Sequence, residues 1–93
     1  MDADIIKLIR LAGECGELIQ QINKALQFGI DSINPDTGIS TRESLKGEAA
    51  DVMTCIDQLQ IDHVEMDALK RKKAIRIARN AEYEIPYEMV CND

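Results

Sequence analysis

Residues 11–28 read LAGECGELIQQINKALQF, and two features of this run decide the fold. Leu8, Ala12, Cys15, Ile19, Ile22 and Leu26 step alternately by four and three, the period of an amphipathic helix. Glu14 and Glu17 fall on one flank of that stripe, since a helix turns about 100° per residue, and Gln21 and Lys24 continue their row. The acids are therefore expected to border a packed face. The run has a start signal in Asp2 or Asp4 and a stop signal in Gly29, so it predicts a first helix ending near Phe28.

A second copy of the arrangement follows in residues 45–59, LKGEAADVMTCIDQL. Leu45, Ala49, Val52, Cys55, Ile56 and Leu59 define an apolar arc, with Glu48 inside it and Asp51 at its edge. Ser40 and Glu43 have capping-box spacing and place the helix start close to Thr41. The absence of a breaker extends this second helix to about Asp62 or His63, where His63 reads as a charge at the helix C-terminus. The connecting stretch 31–41, DSINPDTGIST, carries turn chemistry without helical period and is expected to be a loop.

From Glu65 the chain is rich in good helix formers, and a third helix to about Tyr83 is expected. Lys70, Lys73, Arg76 and Asn80 make a polar row on it. Pro86 ends any continuation. The sequence thus predicts an all-α chain of three main helices, organised as a helical domain over 1–84 and a tail over 85–93. Gly13 and Gly16, inside the first helix, point either to close helix packing or to clearance for a ligand beside the acids.

Composition narrows the function classes. A formal charge of −6 argues against nucleic acid as the main partner, which needs a broad positive face. No run of about twenty apolar residues is present, so no membrane span is expected. No signal peptide is visible, and the cytoplasm is the default compartment. Three cysteines fit a reducing compartment better than a disulfide framework. A di-iron carboxylate bundle needs Glu-x-x-His on two helices, whereas His63 has Gln60 at that position. A chain of this length gains much by pairing with copies of itself, so an oligomer is expected.

Two E-x-x-[ED] pairs turned towards one packed face would repel strongly unless something lay between them. A hard divalent cation is the economical partner, because it takes oxygen ligands and tolerates shared carboxylates. Residues three apart stand about 5–6 Å apart at Cβ, close enough to share an ion. Magnesium held this way keeps positions open for water and phosphate, and nearby cations would take up the remaining phosphate charge.

The pattern E-C-G-E at Glu14 to Glu17, then E-A-A-D-V at Glu48 to Val52, followed by a basic helix, resembles the MazG-like all-α nucleoside triphosphate pyrophosphohydrolases. The resemblance spans roughly Leu8 to Asn80 and is nearest to the short, single-domain, phage-type members. It implies that Glu14, Glu17, Glu48 and Asp51 bind Mg²⁺ and form the catalytic set. It also implies that helices of two subunits build a four-helix bundle around the site in a homodimer or homotetramer. The implied reaction is hydrolysis between the α and β phosphorus of a nucleoside triphosphate, giving the monophosphate and pyrophosphate. Lys73 and Arg76 are the nearest matches to the family's phosphate contacts; Lys24 and Asn80 complete the expected substrate-binding set.

The chain departs from the family pattern at Gly13, where an additional glutamate is usual. The spacing between Glu17 and Glu48 is also at the long end. With no tryptophan, base stacking would come from Phe28, Tyr83, Tyr87 or a partner chain. The competing expectation is a helical oligomerisation or nucleotide-binding regulatory module that keeps the acidic pairs without catalysis.

Overall fold

A computed structural model describes residues 2–83, with side chains to Asn80. It contains three helices, α1 (Ala3–Phe28), α2 (Thr41–Asp57) and α3 (His63–Tyr83). Among the described residues there is no strand, only one antiparallel bridge between Ile33 and Ser40. The all-helical class follows the sequence. The tail expected over 85–93 lies outside the described residues.

The chain divides into two compact units, Met1–Gln60 and Ile61–Asp93, a finer division than the single domain read over 1–84. The first unit is a hairpin of two helices. Asp2 caps α1 by accepting from the Asp4 N–H at 2.7 Å, which satisfies one of the donors a helix start leaves open. At the other end Gly29, with φ 95°, turns the chain away while its N–H still donates to the Ala25 carbonyl at 2.9 Å. A positive φ is readily adopted only by glycine, so the stop at Gly29 is local chemistry. Ser40 caps α2 by accepting from the Glu43 N–H at 3.1 Å, as the capping-box spacing predicts.

The connection between these helices is pinned along its length. Thr41 N–H donates to the Ser32 carbonyl at 2.9 Å, and Asn34 N–H donates to the Ile39 carbonyl at 3.0 Å. Asn34 Oδ1 accepts from the Asp36 N–H at 2.8 Å, an Asx turn of the kind Asn-Pro-Asp favours. Arg42 grips Asp31 with Nε 2.9 Å from Oδ1. That guanidinium holds the Asp31 carboxyl below its ordinary pKa, through the hydrogen bond first and its charge second.

The packing of α2 is the one its sequence predicts. Leu45, Ala49, Val52, Ile56 and Leu59 are half-buried, Cys55 is buried, and Glu48 lies inside the arc. Packing on α1 differs from expectation. The half-buried row there is Lys7, Leu11, Glu14, Leu18, Gln21 and Ala25, joined by Cys15. Of the stripe read as core, Leu8, Ala12, Ile19, Ile22 and Leu26 are exposed and only Cys15 is half-buried. Both rows have helical spacing and lie side by side on the helix. The hairpin closes on the row that carries Glu14 and leaves the more apolar row uncovered.

Two further boundaries differ from the sequence reading. α2 stops at Asp57, and Gln60 adopts φ 57° before the next helix begins. Asp62 then accepts from the N–H groups of Val64 and Glu65 at 2.8 and 3.0 Å, a cap that starts α3 at His63. His63 therefore sits at the N-terminal end of a helix, where the dipole disfavours positive charge, and is not a C-terminal charge partner. α3 forms the described part of the second unit.

Candidate metal centre

The hairpin brings acids of α1 and α2 together. Glu14, Glu48 and Asp51 each present a carboxylate oxygen within 4.8 Å of the others. Glu14 reaches this point because it lies in the half-buried row of α1, and Glu48 because it lies inside the apolar arc of α2. Asp51, three residues after Glu48, is on the same flank of α2 and is exposed. Two of the three ligand candidates are thus part-shielded, and the third opens to solvent.

The electrostatics reflect the crowding. The Glu48 carboxyl is pushed above its ordinary pKa by desolvation first, then by the charges of Glu17, Asp51 and Glu14, while Lys24 opposes the shift. Glu17 is thereby near enough to act on Glu48, although it stands outside the tight group of three. Of the four acids predicted from sequence, three converge and the fourth flanks them.

The donor set suits a hard cation. Two oxygens bound to one magnesium ion at about 2.0–2.1 Å are at most about 4.2 Å apart, and calcium permits a little more. The cluster, with its three oxygens within 4.8 Å of one another, is on this scale. An all-carboxylate site also favours magnesium, calcium or manganese over softer metals.

Gly13 and Gly16 flank Glu14, and a Cβ added at either would meet nothing within 4 Å. Among the described residues, therefore, neither glycine marks a close packing contact.

Lys24 lies seven residues beyond Glu17 and lines a cavity of about 290 Å³. Phe28, Ile33 and Pro35 give this cavity an apolar wall, and Ser32, Asn34 and Thr41 give it polar groups. A neighbouring hollow of about 180 Å³ shares Lys24, Asn34 and Thr41 and adds Gln21 and Ser44. The sequence drew attention to Lys24 and Phe28 but not to Ser32, Asn34 or Thr41. Their only signal was the turn chemistry of Asn34-Pro35-Asp36, which specifies a shape and not a ligand.

Lys73, Arg76 and Asn80, the other expected substrate residues, lie on α3 in the second unit, each half-buried. Arg76 Nε and Asn80 Oδ1 are shielded from solvent without a hydrogen-bond partner among the described residues. Tyr83 and Tyr87 lie beyond the described side chains.

No helix among the described residues is long and apolar enough to cross a membrane. Comparison with known proteins gives no match to any family model, any curated protein or any solved structure.

Proposed function

We propose that this chain is a Mg²⁺-dependent nucleoside triphosphate pyrophosphohydrolase that works as a homo-oligomer and clears nucleotides from the pool. The observation that carries the reading is the convergence of Glu14, Glu48 and Asp51 from two helices, with Glu17 alongside. Three carboxylates held this close, with a fourth alongside, repel one another and favour a counter-ion between them. The resemblance of E-C-G-E and E-A-A-D-V to the MazG-like enzymes supports the same assignment.

The roles divide by chemistry. Glu14, Glu48 and Asp51 would hold magnesium, with Glu17 as a further ligand or a partner to bound water. Magnesium in such a site neutralises phosphate charge and lowers the pKa of a bound water. Lys24 is a cation of the first unit whose charge acts on Glu48, and it would meet phosphate oxygens as a point charge. The resemblance also offers Lys73 and Arg76 as phosphate contacts; both belong to the second unit.

The oligomer is supported by the uncovered row of α1. Leu8, Ile19, Ile22 and Leu26 are between 42% and 80% exposed, and Ile5 extends the same alternation of three and four to the helix start. A row with this period is the seam by which helices pack on one another, so a second copy of α1 is its natural cover.

Incubating the full chain with a panel of nucleoside triphosphates and Mg²⁺, with pyrophosphate as readout, tests the enzyme. Release that stops on adding a chelator and in Glu48→Gln supports it. Nucleotide binding by calorimetry with no pyrophosphate from any triphosphate would instead indicate a non-catalytic regulatory module.

A further inference from the structure

We infer that the cavity between the C-terminal half of α1 and the pinned connection 29–40 receives the sugar and base of the nucleotide, with Lys24 between them and the acids. This rests on the proposed reading of the acidic cluster as the place of the phosphates. The cavity itself is independent of it.

The placement follows from helix register. Glu17 and Lys24 are seven residues apart on α1, and Glu48 and Thr41 are seven apart on α2 in the opposite chain direction. Seven residues rise about 10 Å and return to nearly the same face. Both helices therefore lead from the acids to one neighbourhood, and Lys24 and Thr41 do line the same cavity. Lys24, one register step of seven beyond Glu17, lines both this cavity and the smaller hollow beside it. A ligand with a polyanionic end and a neutral end matches the sequence of acids, cation and mixed pocket.

The cavity lining fits a nucleoside. Phe28 offers an aromatic face, Ile33 and Pro35 an apolar edge, Ser32 a hydroxyl, and Thr41 a hydroxyl oxygen that can accept while its proton goes to the Ser32 carbonyl at 3.3 Å. Asn34 Oδ1 is engaged by the Asp36 N–H, which fixes the side chain and leaves its Nδ2 group as a donor for an acceptor on the base or sugar. Small-molecule sites are typically mostly apolar with a few fixed polar groups, and this composition is of that kind. At about 290 Å³ with a smaller hollow beside it, the space is on the scale of one nucleoside.

The test is an amide-resonance titration of the full chain with nucleoside 5′-monophosphates of the four common bases and, separately, with inorganic pyrophosphate, each with Mg²⁺. The N–H groups of Ser32, Asn34, Gly38 and Thr41 are expected to shift with at least one monophosphate and to stay in place with pyrophosphate. Phe28→Ala removes a side chain that is 63% exposed, so the fold should persist, as circular dichroism can verify. It should weaken monophosphate binding roughly tenfold, the scale of one base–aromatic stack, and leave Mg²⁺ affinity unchanged. Monophosphates that move only amides near Glu14 and Glu48, or bind Phe28→Ala as tightly as the parent, would overturn the inference, as would failure of every monophosphate to bind. The pyrophosphate-release assay separates the two proposals. Connection shifts without turnover would sink the hydrolase and keep the cavity, whereas turnover with an unchanged KM in Phe28→Ala would do the reverse.

Discussion

Replacing Ile19 by alanine should weaken self-association without disturbing the hairpin, because Ile19 stands on the uncovered row of α1 and not on the row facing α2. Complete burial of an isoleucine contributes about 1.5–3 kcal/mol. Ile19 is 56% exposed, so covering the remainder in an oligomer contributes about 1 kcal/mol per copy. In a two-fold interface the same patch occurs on both subunits, which doubles the effect to about 2 kcal/mol. Alanine keeps the Cβ, so the dissociation constant should rise by roughly ten- to thirtyfold. Sedimentation velocity over a dilution series reads that constant directly, and circular dichroism should show helix content unchanged. A parent chain that stays monomeric at the highest concentration measured, or an alanine variant that associates as the parent does, would refute the assignment of this row to a second copy.

Other perturbations report on the acids and the connection. Glu14→Gln and Asp51→Asn should each lower Mg²⁺-dependent pyrophosphate release by roughly a hundredfold or more, since even residues that merely support a metal ligand cost about 10- to 100-fold when changed; near-normal release from both would remove these acids from the site. The raised pKa of Glu48 means the folded chain binds this proton more tightly than the unfolded one, so its contribution to stability falls as pH rises through the folded value. Without metal, Glu48→Gln should therefore melt higher than the parent at neutral pH, with the difference closing on acidification below the unfolded carboxylate range. Saturating Mg²⁺ should reverse the order, because ligation needs the ionised carboxylate; an identical difference with and without Mg²⁺ would exclude Glu48 as a ligand. Gly38 has φ 72°, where an L side chain costs about 1 kcal/mol or more. Gly38→Ala should lower Tm by roughly 5 °C, and an unchanged melting curve would show that the connection does not share in cooperative unfolding.

Much of the hairpin was legible because its signals are local. Gly29 stops α1 and Ser40 starts α2 through chemistry confined to a few neighbouring residues. The arc of α2 was readable because its apolar residues and its packed residues are the same ones. On α1 they are not. The half-buried row includes Lys7, Glu14 and Gln21, and periodicity weighted by hydrophobicity points past it to Leu8, Ile19, Ile22 and Leu26. That signal is real but concerns a surface that the described residues leave exposed. The boundary between α2 and α3 was hidden for another reason: residues 58–62, QLQID, contain neither glycine nor proline, and the break rests on the positive φ of Gln60 and the Asp62 cap.

For the acids, spacing predicted neighbours along each helix but could not show which carboxylates meet across the pair. Glu14, Glu48 and Asp51 converge because the inner row of α1 and the arc of α2 face each other. Glu17 is offset towards the more open side. The polar residues of the cavity were illegible because Ser32, Asn34 and Thr41 are brought together by a backbone path, and ordinary turn-formers carry no mark of what lies above them.

α1 looks two ways at once: one side presents Glu14 to α2, and the other offers Leu8, Ile19, Ile22 and Leu26 to whatever covers them. If a sister molecule is that cover, the rod proposed to hold the ion would also sense how crowded the solution is. Dilution would then loosen the grip, and total turnover would fall off more steeply than the amount of protein.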